Sequence, residues 1–320
     1  MSTAVVFMGF WHVADGRLLA GLPDQGAGAQ PAVEEVPLKE AAERMPGAAG
    51  ARVLAQLPYA DVPFAEAADS SAAGVVVAPD RRDPFAPPDR WCFALSRDGL
   101  VLAGEGPFCS DALEGLAENP VPVPDAASVL AEVLRRAVQG EALLLSRVAD
   151  RLRTLEDAVL DGACDVDRRG MHADRRLLLG LAAFYRGMED LAEELSEDAA
   201  APVSDEARAR LASLGRHLGR LAARAEGLHG QVLQLGSMCQ ENADARQNRV
   251  MRWLTVVATV FMPLTFVTSW YGMNFPHMGL TGADWGYPAV CVACVLIAAA
   301  EIAWFRSKGW LSFSDRRRRR

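Results

Sequence analysis

Trp253-Leu-Thr-Val-Val-Ala-Thr-Val-Phe-Met-Pro-Leu-Thr-Phe-Val-Thr-Ser-Trp270, followed by Tyr271-Gly272-Met273-Asn274-Phe275, decides how the rest of this chain is read. The first segment carries no charge and, as a helix, is long enough to cross the hydrocarbon core of a bilayer. A second apolar run, Tyr287 to Phe305, follows a short loop, and its only residue charged at neutral pH is Glu301. Aromatic residues stand at the ends of both runs, as they do where helices enter and leave a membrane. The pair therefore predicts a transmembrane hairpin with Tyr-Gly-Met-Asn-Phe at its crest.

The arginines orient the hairpin. Arg246, Arg249 and Arg252 precede the first run, and Arg306, Lys308 and Arg316 to Arg320 follow the second. The loop from Phe275 to Gly286 has no Lys or Arg and a single acid, Asp284. The excess of positive charge on the cytoplasmic side of membrane proteins puts both termini in the cytoplasm and the loop outside. The terminal arginine run is then expected to meet anionic lipid. Glu301 and Arg306 are expected to form a pair at the cytoplasmic edge, with the Arg stem reaching to the surface.

Upstream, composition narrows the choice of function. The chain has 320 residues, 51% of them hydrophobic, so it can bury a large core and hold more than one domain. Its formal charge is −8, and it falls to −13 once the five terminal arginines are set aside. An acidic body of that kind does not suit nucleic acid, which needs a basic face. No Gly-rich phosphate loop or dinucleotide fingerprint appears, which argues against an ATP-driven pump. Nothing supports an enzyme, and no cofactor is expected. Six scattered cysteines and a start at Met1-Ser-Thr-Ala without a secretory signal fit a reduced cytoplasmic setting. Cys291 and Cys294 have redox spacing but lie inside the second apolar run, where helix packing is the better account. His12, His172, His217 and His229 are too dispersed to announce a local metal site.

Residues 1–124 read as a cytoplasmic α/β domain. Ala4–Val13 and Arg17–Ala20 flank the hairpin signal Ala14-Asp-Gly16, and Trp91–Leu95 and Leu100–Ala103 flank Arg97-Asp-Gly99. Gly74–Ala78 is a further strand-like run, Pro31 to Glu43 is read as a helix, and Pro84 to Pro88 as a loop. From Asp125 the pattern turns helical. Ala126 to Leu160 and about His172 to Glu197 carry apolar residues at helical spacing, which predicts a cytoplasmic helical hairpin over 125–203. A third helix starts near Ser204, with Asp205 and Glu206 in its first turn. It meets no proline until Pro263, so one helix of about 65 residues is predicted, on the order of 100 Å long. This gives a stalk over 204–252, a first span over 253–271, an external loop over 272–286, a second span over 287–305 and a basic tail over 306–320. A helix shared by stalk and span is expected to couple the cytoplasm mechanically to the membrane.

The tag at the crest carries a resemblance. Tyr271-Gly272-Met273-Asn274-Phe275 resembles the signature of the CorA-type divalent-cation transporters. The likeness extends back through Phe261-Met-Pro-Leu-Thr265 and Asn248-Arg-Val-Met-Arg-Trp-Leu254, and forward through Trp285-Gly-Tyr-Pro288 and the basic tail. It is close over the last quarter of the chain. Elsewhere the agreement is one of outline: an α+β cytoplasmic domain, a long stalk helix and a two-helix hairpin. Membership implies an inner-membrane homopentamer whose first spans line a pore for Mg2+, with Co2+ and Ni2+ as further candidates. Two spans cannot enclose an aqueous path, so conduction requires an oligomer in any case.

Asn248, Met251, Leu254 (or Thr255), Ala258, Met262 and Thr265 recur at steps of three and four, on one helical face. The resemblance places pore-facing residues at these positions; ordinary packing between membrane helices is the competing account. The stripe holds no acid, which suits an ion that sheds its octahedral water shell reluctantly. Carboxamides of Asn274 at the mouth and Asn248 at the inner end are expected to hold that shell from outside, with Gly272 and Met273 completing the selectivity motif. Met251 and Leu254 are expected to form an apolar constriction that closes by dewetting. Gly272 is expected to allow a turn at the helix end. Asp244, one turn before Asn248, is expected to draw cations to the inner mouth.

Departures from the family pattern stand beside these matches. The glutamate usual after the tag is absent from His277-Met-Gly-Leu-Thr-Gly-Ala-Asp284, Ser269 is the small residue three before the glycine, and Trp270 replaces an aliphatic. Where the family carries regulatory carboxylates at the start of the stalk, Leu211-Ala-Ser-Leu-Gly-Arg-His-Leu218 has none. Two other readings remain open: a zinc transporter of the ZntB kind, which shares fold and tag, and a membrane-anchored sensor or scaffold that does not conduct.

Overall fold

A computed structural model of the chain describes residues 9–21, 32–45, 47–161, 167–273 and 285–310. The chain falls into two units, residues 1–236 and 237–320.

The first unit is built on a seven-stranded sheet: β1 (Gly9–Ala14), β2 (Arg17–Ala20), β3 (Ala32–Pro37), β4 (Phe64–Ala68), β5 (Ser71–Ala78), β6 (Asp89–Leu95) and β7 (Gly99–Gly104), in the order β2-β1-β3-β7-β6-β5-β4. Only β3 and β7 run parallel. The two hairpins read from sequence are present. In the first, Ala14 pairs with Arg17, and the intervening Asp15 and Gly16 have φ of 51° and 70°, the conformation a tight two-residue hairpin turn demands. In the second, Leu95 pairs with Leu100. Residues 4–8 of the first expected run lie outside the described residues.

Of the stretch expected to carry a helix, Pro31 to Glu43, residues 32–37 form β3, between β1 and β7, and helical structure begins only at Leu38, as a 3-10 turn (Leu38–Glu40) leading into the short helix α1 (Ala41–Arg44). Strand pairing outweighs local preference here, because Val33 and Val36 are buried by neighbours distant in sequence. One face of the sheet carries α1 and α2 (Gly47–Gln56), whose Ala49 and Val53 pack with Val75, Val77 and Cys92. The opposite face receives Trp91, Phe93 and Leu95 among the buried side chains. Burial on both sides accounts for the unbroken apolar run Ala72–Val77. Gly74 has no room for a Cβ, which would stand 2.5 Å from the Phe93 ring.

The helices that follow are α3 (Phe108–Glu118), α4 (Ala126–Ala137), α5 (Glu141–Leu160), α6 (Arg168–Glu197) and α7 (Asp205–Tyr271). The single helix expected over Ala126–Leu160 is two. Gly140 adopts φ 81° between α4 and α5, a conformation that only glycine takes without strain. The turn delivers Glu141 into the interior. Its carboxylate accepts from Tyr185 Oη at 2.6 Å and from Arg81 Nε at 2.9 Å, while the Arg81 guanidinium lies 5.0 Å from the centre of the Phe184 ring. Loop 79–82, α5 and α6 are thereby fastened at one point. Caps begin the helices as their first residues predict: the Asp125 carboxylate accepts from Ser128 N at 2.7 Å, and Ser204 Oγ from Ala207 N at 3.2 Å.

α7 is helical for 67 residues, through Pro263, and α8 (Gly286–Ser307) is the other apolar helix. Both are long and apolar enough to cross a membrane.

Candidate functional site

The second unit contains the apolar end of α7, the described part of the crest and α8. Two faces of α7 differ in exposure. Val256 is buried, and Val260, Pro263, Leu264, Val267 and Tyr271 are partly covered. On α8 the covered positions are Ala289, Val290, Cys294, Ile297, Ala298, Glu301 and Phe305. Each set keeps helical spacing, so each marks one side of its helix.

Asn248, Met251, Leu254, Thr255, Ala258, Met262 and Thr265 are all exposed, Met251 at 53%, Leu254 at 62% and Met262 at 72%. At about 100° per residue their stripe is centred roughly 180° around α7 from the covered set. The predicted residues thus share one face, opposite the covered positions of α7. Asp244 continues it toward the N-terminus and accepts a hydrogen bond from Gln240 Nε2 at 3.0 Å. Sequence reading missed one member. Ser269 is exposed and extends the same stripe one turn beyond Thr265 toward Gly272, a position reachable by continuing the four-residue step.

Threonine hydroxyls along this segment turn back on their own helix. Thr255 donates to the Met251 carbonyl at 2.9 Å, Thr259 to Thr255 at 2.8 Å and Thr265 to Phe261 at 2.8 Å. With its proton committed, each hydroxyl presents outward only acceptor lone pairs. The stripe therefore combines thioethers, aliphatic groups, carboxamide and hydroxyl oxygens, and no carboxylate between Asn248 and Thr265.

At the crest, Gly272 N donates to the Thr268 carbonyl at 2.9 Å, closing the last turn of α7. Gly272 stands in a turn at the helix end, as expected, with φ outside the left-handed region. A Cβ there would stand 3.1 Å from the Thr268 oxygen; the constraint is close approach, not dihedral freedom. Met273 is 48% exposed. Asn274, His277 and Asp284 lie outside the described residues, as do Arg316 to Arg320.

The expected Glu301–Arg306 pair is absent among the described residues. A step of five puts the two about 140° apart around α8. Glu301 instead lies on the covered side, with Oε2 buried and without a hydrogen-bond partner. Cys291 and Cys294 are both free thiols. Among the described residues no group of three or more His, Cys, Asp or Glu side chains is placed to hold a metal ion.

The fold and this segment define a class: a mixed-sheet α/β domain followed by one very long helix and a C-terminal pair of membrane-length helices. Comparison with known proteins makes the class specific. The model of the family described as "CorA-like Mg2+ transporter protein" matches residues 68–308, and the chain belongs to that family. Among curated relatives, the cobalt/magnesium transport protein CorA of Thermotoga maritima is 28% identical over 183 residues, 57% of this chain and 52% of that protein. The zinc transport protein ZntB of Klebsiella pneumoniae is 27% identical over 229 residues, 70% of this chain and 66% of that one. The first of these matches thus spans about half the relative's length. Among solved structures, the CorA magnesium transporter of Methanocaldococcus jannaschii superposes with a TM-score of 0.76 at 17% identity, over 96% of this chain and all of the other. The full-length CmaX protein gives 0.72 at 18%, over 94% and 97%. At these identities the superpositions establish the fold.

Proposed function

We propose that this chain is a channel-type Mg2+ transporter of the inner membrane, admitting the ion down the membrane potential, with Co2+ and Ni2+ as further cargo. The observation that carries the reading is the open stripe on α7. Asn248, Met251, Leu254, Ala258, Met262 and Thr265 are exposed together on the side of α7 away from its covered residues. A membrane helix that keeps one face for its hairpin partner and a mixed polar face free is built to meet copies of itself around water.

In a homopentamer, five such stripes enclose the path, with both termini in the cytoplasm. Asn274 rings the outer mouth and binds the water shell of the dication, supported by Gly272 and Met273. Asn248 repeats the carboxamide ring at the inner end, Met251 and Leu254 form the hydrophobic gate, and Asp244 raises the local cation concentration. Mg2+ is cargo here, not a resident cofactor. A potential of 100 mV supplies about 4.6 kcal/mol for two charges, so no nucleotide is required.

The ZntB likeness, which covers more of this chain than the Thermotoga match, favours Zn2+ as the second reading. Purified protein in liposomes under an inside-negative potential separates them. Mg2+ uptake that disappears in Asn274→Ala supports the proposal. Proton-dependent Zn2+ uptake without Mg2+ uptake supports the second reading, and no flux of any divalent ion leaves a scaffold.

A further inference from the structure

The first unit has a basic cleft that the transport reading does not use. It lies between α4 and the start of α7 and has a volume of about 540 Å³. Arg135 and Gln139 from the α4 side and Arg210, Ser213, His217 and Arg220 from α7 line it. On α7 these four recur at steps of three and four, so they occupy one face. That face is distinct from the buried one, Leu211, Leu218, Ala222 and Ala225.

The charges around the cleft do not balance. Glu132, 5% exposed, is gripped by Arg135, whose Nε lies 2.7 Å from Oε2, and also faces Arg136 Nε at 3.7 Å. Arg210 is held by Glu206 at 2.7 Å and by the Pro122 carbonyl at 2.6 Å. Arg220 has no carboxylate partner among the described residues; its guanidinium lies 3.5 Å from His217 Nδ1. Three lining guanidiniums thus meet one lining carboxylate, Glu132, with Glu206 beside the cleft, in a chain whose formal charge is −8. A concave basic site on an acidic protein concentrates field and selects anions. Guanidinium forks match phosphate oxygens in geometry as well as charge, and Ser213 adds a hydroxyl donor. No Phe, Tyr or Trp lines the cleft, so it offers no platform on which a base would stack.

We propose that this cleft binds a phosphate-class polyanion, recognised through its phosphate chain, with Arg220 and Ser213 as its exposed contacts and Arg135 and Arg210 as its fixed walls. Free polyphosphate and the phosphate tail of a nucleotide share this chemistry. The test is calorimetry on the full-length protein in detergent, in chelator-containing buffer, with tripolyphosphate as probe and sodium chloride at matched ionic strength as control. Binding is expected, and Arg220→Ala and Ser213→Glu are each expected to weaken it by about tenfold or more, since each removes or opposes a charge-assisted contact. Arg246→Ala, on the same helix but about 40 Å further along it, is the control and is expected to change affinity by less than about twofold. Melting temperatures without ligand should not move, because Arg220 and Ser213 are exposed.

ATP binding as tightly as tripolyphosphate supports recognition of the chain alone. ATP binding tenfold tighter overturns that basis, as it would require contacts to the nucleoside. Absence of binding above the salt control, or equal binding by both variants, overturns the site. So does a shift of oligomer mass in Arg220→Ala without any ligand binding, which would assign the arginine face to contacts between copies. The readout needs no ion flux, so it stands or falls apart from the transport reading.

Discussion

The two units obey opposite rules of burial. In residues 1–236 the large side chains are inside: Trp91, Phe93, Phe184 and Tyr185 are each at most 2% exposed. In residues 237–320 they face out: Phe261, Phe266, Val295 and Leu296 are each more than 60% exposed. Water enforces the first arrangement, because apolar area gains about 25 cal/mol per Å² on leaving it. The second is stable only where the surroundings are themselves apolar or where further helices cover it. Apolar exposure in the second unit thus says which solvent that unit is made for.

That contrast is most severely tested by moving one charge around α7. Val260 is on the covered side and Ala258 on the open stripe. An arginine within an apolar span costs about 2.5–3.5 kcal/mol, unless it faces water. Val260→Arg is therefore expected to abolish assembly, read as loss of the oligomer on size exclusion. Ala258→Arg is expected to assemble normally and to block Mg2+ flux to background, since in the proposed assembly a ring of cations would then occupy the path. Equal assembly defects in both would remove the distinction between the faces. A smaller effect is expected at the gate. Under the proposed gate, Met251→Gly should raise closed-state leak several-fold in liposomes, at about 1 kcal/mol of helix stability. Unchanged leak would release Met251 from the gate.

In the first unit the sharpest single dependence is the buried carboxylate of Glu141. Removing it strands Arg81 and leaves Tyr185, whose hydroxyl is buried, without an acceptor. Glu141→Ala is expected to destabilise the unit by about 3 kcal/mol, lowered somewhat because Arg81 keeps the Pro79 and Ala137 carbonyls. Tyr185→Phe should cost about 1–2 kcal/mol, as one carboxylate oxygen keeps its Arg81 contact. Chemical denaturation followed by near-ultraviolet dichroism measures both. A Glu141→Ala loss below that of Tyr185→Phe would mean the cluster is not the fastening point.

Legibility in the sequence followed how local each cause is. The Asp15-Gly16 turn and the helix starts after Asp125 and Ser204 depend on a few neighbouring residues, and they were readable. The period of the α7 stripe was readable too, because it needs only helical geometry. Which face of α7 is covered needed the fold, and Ser269 was overlooked although the period reaches it. β3 was misread because Pro31 and Pro37 bracket a segment containing Glu34-Glu35, and its strand character comes from pairing with β1 and β7. The break at Gly140 was hidden by leucine-rich pattern on both sides. The basic cleft was invisible for the same reason as β3: α4 and α7 are far apart in sequence, and neither alone carries the charge imbalance.

Glu35 offers the smallest and most specific test of the first unit. It lies on β3 at 8% exposure and accepts from Ser110 Oγ at 2.5 Å. Burial pushes its carboxyl above the ordinary range; the Ser110 bond opposes this, and the charges of Glu114 and Asp111 add to the rise. A raised pKa in the folded state means that the native chain holds this proton more tightly than the unfolded one. The stabilisation belonging to the protonated form is complete below the unfolded value near 4.5 and is lost as pH rises through the folded value. Glu35→Gln, whose carbonyl still accepts from Ser110, is neutral throughout and escapes that loss. It is expected to melt higher than the parent at neutral pH, and at the same temperature near pH 4. A melting difference that does not change with pH would show that the substitution acts through packing, and would withdraw the charge at Glu35 as the cause.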